Sequence, residues 1–141
     1  MKNWISTAAG MVGGMIASIY GGWSVTLQVL FWFMAFDYVT GLLVAGLFHA
    51  SPKSGHGGLE SRAGWKGLAR KIVTMMLVLM AHEIDLLLGI HYIRDAAAIG
   101  FCTNEALSII ENAGLMGIPI PKAITGAIDQ LMQKEDRHDG T

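Results

Sequence analysis

The run from Val25 to Phe48 limits the fold more than any other part of the chain. Leu, Val, Phe and Trp recur through it, and its only carboxylate or basic side chain is Asp37. A helix needs about 20 predominantly apolar residues to cross a hydrocarbon core, and this run supplies them. In lipid a lone segment must satisfy its own backbone hydrogen bonds, so it must be helical. The whole chain agrees with that solvent. Its 141 residues are 52% hydrophobic and 15% charged, with a mean hydropathy of +0.46, too apolar and too charge-poor for an ordinary soluble domain of this size. The expected fold is all-α, an integral membrane helical bundle of three to four transmembrane helices that assembles as a homo-oligomer.

Four spans are expected, at about 5–22, 25–48, 70–90 and 96–112, within a single transmembrane domain of residues 1–121. A charged C-terminal tail, 122–141, follows and frays from Lys134 onward. Trp4 and Trp23 bracket the first span as an aromatic belt would. Two ladders of small residues run along it at spacing four: Ala9, Gly13, Ala17, Gly21, and Gly10, Gly14, Ser18, Gly22. Such stripes let helices approach closely in lipid, so this segment calls for a helical partner within the protomer or between protomers. Lys2 ahead of an apolar stretch is also a leader-like feature. No small-x-small site before a polar start accompanies it, so cleavage is not expected. Gly21 and Gly22 then make a tight hairpin.

Between residues 49 and 71 the chain becomes rich in Gly, Ser and basic residues, a loop that passes into a helix. Lys53, Arg62, Lys66, Arg70 and Lys71 place it in the cytoplasm by the positive-inside rule, as topology signals facing lipid headgroups. The N-terminus is then cytoplasmic too. With four spans the tail, carrying Lys122, Lys134 and Arg137, is also inside, which leaves Arg94 as the one base outside. The alternative is three spans and a surface amphipathic helix, which puts the tail outside. A net charge of −1 with this distribution fits a membrane protein rather than a nucleic-acid binder. Cys102 is the single cysteine, so neither an intrachain disulfide nor a cysteine metal site is expected.

Polar residues inside apolar spans are the candidate functional groups. Asp37 shares a helical face with Thr40 and Gly41. His82, Glu83 and Asp85 interrupt the third span. A zinc-protease helix would need His where Leu86 stands, so that motif fails. In the fourth span Asn104, Glu105, Ser108, Glu111 and Asn112 fall within an arc of roughly 120°. Gly114, Gly117, Pro119 and Pro121 then end that helix. These polar residues are expected to line a pore or a subunit interface, or else to be structural. Ala9, Gly10, Gly13, Gly14, Ala17, Ser18 and Gly41 are the helix-packing residues. No catalytic residue, metal site or cofactor is expected.

Several tracts together carry a family resemblance. AspTyrValThrGly at 37–41, the 59–71 tract, AlaHisGluIleAsp at 81–85, AsnGluAlaLeuSerIleIleGluAsn at 104–112 and GlyIleProIlePro at 117–121 resemble the toxin-secretion and phage-lysis holin family, in order, over roughly residues 25–132. The resemblance implies a small phage-encoded protein of the bacterial inner membrane. Such a protein would self-associate, permeabilise the membrane at a set time and let an endolysin reach the peptidoglycan, or support toxin release. It implies lipid, further copies of the chain and an endolysin as functional partners, without a tight endolysin complex. An ion-coupled exporter or proton pathway through Asp37, Glu83 and Glu105 is the alternative reading, and an inert assembly subunit is a third.

Overall fold

In the computed structural model, which describes residues 2–139, the chain is all-α: α1 (Lys2–Ile19), α2 (Val25–Gly46), α3 (Ser61–Leu88), α4 (Ile93–Leu115) and α5 (Lys122–Asp139), with no strand among the described residues. Local chemistry sets the boundaries. After α1, Gly21 and Gly22 adopt φ of 79° and 100°. Their amides donate to the carbonyls of Ser18 at 3.1 Å and Ala17 at 2.8 Å, closing the helix end. Ser24 caps α2 by accepting from the Leu27 amide at 3.2 Å. Gly89 ends α3 at φ 69° and Gly117, at φ 76°, turns the chain out of α4. Pro121 opens α5, its carbonyl accepting from Ile124 N at 3.0 Å.

α4 is the hub. α2 packs along it, α3 and α5 lie against its other sides, and α2 and α3 touch each other only sparsely. Leu27, Leu30, Met34, Val78, Ala98 and Cys102 form the apolar core where α2, α3 and α4 meet. α1 is different, since none of its residues is buried. Among the described residues one helix, α2, is long and apolar enough to cross a membrane by length and composition. α1, α3 and α4 overlap the other expected spans but fall short of that measure. Lys2, Asn3 and the glycines dilute α1, α3 opens on a basic stretch, and α4 carries Asp95, Asn104 and Glu105.

Two boundaries differ from expectation. The basic loop expected over 49–71 ends at Glu60, and Arg62, Lys66, Arg70 and Lys71 lie on the first turns of α3. Those residues are good helix formers and no proline separates them from the apolar part, so the helix simply starts earlier. The expected frayed tail is helical through Asp139, while Gly140 and Thr141 lie outside the described residues. Ile124, Ile128 and Leu131 recur at helical spacing, and Ile128 is buried against the rest of the bundle. Packing of α5 against α4, with Ile128 buried, outweighs the high charge of the segment.

Candidate functional site

The buried stripe of α2 runs Leu27, Leu30, Met34, Asp37, Val44 and Ala45, so helical periodicity itself carries a carboxylate into the interior. Two other helices complete its surroundings. Lys71 of α3 donates from Nζ to Asp37 Oδ2 at 2.7 Å and to Glu105 Oε2 of α4 at 2.6 Å. The side chains of Lys71, Asp37 and Glu105 are only 13%, 10% and 14% exposed. One turn further along α2 the network continues. Asn112 Nδ2 donates to Thr40 Oγ1 at 2.9 Å and reaches Asp37 Oδ1 and O at 3.4 Å each, while Thr40 Oγ1 donates to the Asp37 carbonyl at 3.1 Å. Gly41 lies beside this amide, where a Cβ would meet Asn112 Nδ2 at 3.8 Å, an ordinary contact. Buried charges persist only when paired and hydrogen-bonded, and this network meets that condition by tying three helices together. One ammonium faces two carboxylates, so the cluster retains one formal negative charge.

Above the triad lies a cavity of about 400 Å³. Its floor is Asp37, Lys71 and Glu105; Asn104 and Ser108 line one wall, and Lys53, Lys66 and Arg70 stand around the mouth beneath the 47–60 loop. Beyond the triad on the opposite side, Met34, Leu30 and Leu27 belong to the dry core. The polar interior is therefore open from one end of the bundle and closed by hydrocarbon at the other.

The expected polar stripe on α4 is split by its neighbours. Glu105 and Asn112 turn inward, Ser108 is half-buried at the cavity, and Asn104 and Glu111 are exposed. The expected His82–Glu83–Asp85 cluster does not come together as a polar lining. His82 is half-buried beside Gly21, and Glu83 is exposed. Asp85 is buried and caps α4, accepting from Ile93 N at 2.9 Å and Arg94 N at 3.0 Å. It satisfies the orphan amides of a helix start from the end of the preceding helix. Asp85→Ala should lower stability by about 1–2 kcal/mol and speed hydrogen exchange at the Ile93 and Arg94 amides, with Asp85→Asn falling between. Unchanged exchange at those two amides would remove the capping role.

Lys71 is the main correction among the basic residues. The sequence pattern puts it among side chains facing lipid headgroups, but the pull of two carboxylates turns it inward. Lys53, Arg62, Lys66 and Arg70 do remain exposed. The pairing had a signal in the sequence: two acids deep in apolar segments need a cation, and Lys71 stands at the start of the expected third span. A second contact had less signal. Arg94 Nη1 donates to the Tyr20 carbonyl at 2.6 Å, and Tyr20 Oη donates to the Met75 carbonyl at 2.9 Å, so the C-terminal end of α1 is latched to α3 and α4. The small residues Ala9, Gly10, Gly13, Gly14, Ala17 and Ser18 all lie on α1, with nothing within 4 Å of a Cβ built on Gly10, Gly13 or Gly14.

An all-α chain that exposes many large apolar side chains and holds the charged groups of its helix interiors in hydrogen-bonded pairs has the make-up of a small helical membrane protein. Residues 14–133 match the bacteriophage holin family, which spans most of the chain, and the protein belongs to that family. Among its relatives, a probable holin of Bacillus phage phi105 is 31% identical over 112 residues, covering 74% of this chain and 77% of the relative. An uncharacterised protein of Halalkalibacterium halodurans is 34% identical, covering 97% of this chain and 100% of the relative. Another from Listeria monocytogenes is 35% identical, covering 90% and 89%. No solved structure matches the chain.

Proposed function

We propose that this chain is a holin that crosses the bacterial cytoplasmic membrane through α1–α4, self-associates, and opens the membrane at a set time so that an endolysin reaches the peptidoglycan. Family membership supports the class of activity. The observation that carries self-association is the isolation of α1: it has no buried residue, yet its small-residue ladders are of the kind that pack helices in lipid. The N-terminus, the 47–60 loop with the basic start of α3, and α5 face the cytoplasm in this reading.

At low density each protomer keeps Asp37, Lys71 and Glu105 inside, paired across α2, α3 and α4. At high density neighbouring copies supply alternative partners for α1 and for the exposed polar groups Asn104 and Glu111. Polar faces then turn toward a common aqueous lumen, and passage is by size rather than by coordination. A proton pathway is less well supported, because the polar cavity stops at the triad and Leu27, Leu30 and Met34 close the route beyond it.

Induction in a bacterium with and without a cytoplasmic endolysin tests the proposal, with membrane potential and turbidity followed together. The expected result is abrupt depolarisation after a delay, with turbidity collapsing only when endolysin is present. Growth with an intact potential at verified membrane levels would overturn autonomous hole formation.

A further inference from the structure

The cavity between the charge triad and the 47–60 loop has groups that the bundle leaves unused. Lys53, Lys66 and Arg70 stand at its mouth, on two separate elements, and form no ion pair among the described residues. Ser54, also in the wall, buries its hydroxyl without a hydrogen-bond partner. An orphan buried hydroxyl costs free energy, and the three cations are left open to an acceptor such as a phosphate oxygen. The floor has the opposite character. Lys71 is shared between Asp37 and Glu105, which leaves a surplus negative charge facing the same space. A positive rim over a negative floor is complementary to a ligand that is itself a dipole.

We propose that this cavity binds a phosphoethanolamine group, its phosphate at the mouth on Lys53, Lys66 and Arg70 and its ammonium at the floor on Glu105. Its phosphate answers the cations of the rim and its ammonium the carboxylates of the floor within one small group. Simple phosphate leaves the floor charge unanswered. A choline group offers the carboxylate no N–H, so it forfeits the charge-assisted hydrogen bond that an ammonium makes. Leu42 and Leu59 at the edge of the cavity are exposed and apolar, a path for acyl chains leaving the site. The same chemistry has two sources, the headgroup of phosphatidylethanolamine or free phosphoethanolamine. Only the choice of lipid as source rests on the membrane placement proposed above.

The test uses the full chain purified in a nonionic detergent, titrated separately with short-chain phosphatidylethanolamine, phosphatidylglycerol, phosphatidylcholine and soluble phosphoethanolamine. Thermal unfolding and native mass spectrometry are the readouts. Phosphatidylethanolamine should raise the unfolding midpoint well above the shift from the other two lipids. The double variant Lys66→Gln/Arg70→Gln, at exposed positions, should keep the ligand-free midpoint and bind at least tenfold more weakly. Glu105→Gln should erase the preference for phosphatidylethanolamine over phosphatidylglycerol; where it fails to fold, the lipid series on the wild-type chain decides. An equal shift from soluble phosphoethanolamine supports the ligand and overturns the lipid as its source. Equal shifts from all three lipids, or a shift that survives the double variant, overturn the site. None of these readouts requires the protein to permeabilise a membrane, so failure here is distinguishable from failure of the holin reading.

Discussion

Lys71→Met is expected to destabilise the bundle by about 3–5 kcal/mol, because it strands two carboxylates in an interior with no cation to share. Lys71 is the single link between Asp37 and Glu105, and α2 and α3 otherwise touch little, so α3 should loosen first. Unfolding in micelles, followed by circular dichroism, measures the loss. The control is the triple variant Asp37→Asn/Lys71→Met/Glu105→Gln, which removes every charge while keeping size. It should recover most of the lost stability, since replacing a whole buried ion cluster by neutral groups is often close to neutral, whereas removing one member is not. A single variant as stable as the wild type would mean that the carboxylates reach water or take up protons without cost, and the triad would lose its place as the tie between helices.

The second large effect is expected on activity. Gly13→Ile and Gly14→Ile place a branched side chain where a Cβ meets nothing within 4 Å, so the protomer itself should not change: its unfolding should stay within about 0.5 kcal/mol of the wild type. If copies meet through α1, the same side chains hold neighbouring backbones apart. Depolarisation on induction should then be abolished or delayed many-fold, and cross-linked species larger than a monomer should disappear from membranes. The pair of readouts separates two readings of the small-residue ladders that the amino-acid sequence left level. Normal timing with a normal cross-linking pattern would assign the ladders no role between protomers.

The sequence carried the helices further than their ends. Apolar run length and the Gly21–Gly22 and Gly114–Pro121 breaks located four helices and the hairpin between the first two. The change from loop to helix within 49–71 was legible, but not its position at Ser61, because the first turns of α3 are basic and glycine-containing and show no clear amphipathicity. α5 was masked by its charge, although Ile124, Ile128 and Leu131 keep a helical spacing. Of the candidate site, Asp37, Glu105, Asn112 and Thr40 were legible as polar groups in apolar surroundings, and the need of the two acids for a cation with them, but not the contacts they make. Periodicity reports which residues share a face of one helix. It does not report which faces of different helices meet, so the inward turn of Lys71, the capping by Asp85 and the Arg94 latch required the tertiary arrangement.

The attachment of α1 has a geometric consequence. It joins the bundle at one end only, through two glycines at positive φ, the Arg94 contact to the Tyr20 carbonyl and the hydroxyl of Tyr20. A rod hinged at its foot can lean without disturbing the block it is bolted to. If copies gather through that rod, the angle at the hinge rather than the shape of the block decides how tightly a row of them curves. Rings of different girth, or open arcs, are then accessible to one and the same folded subunit.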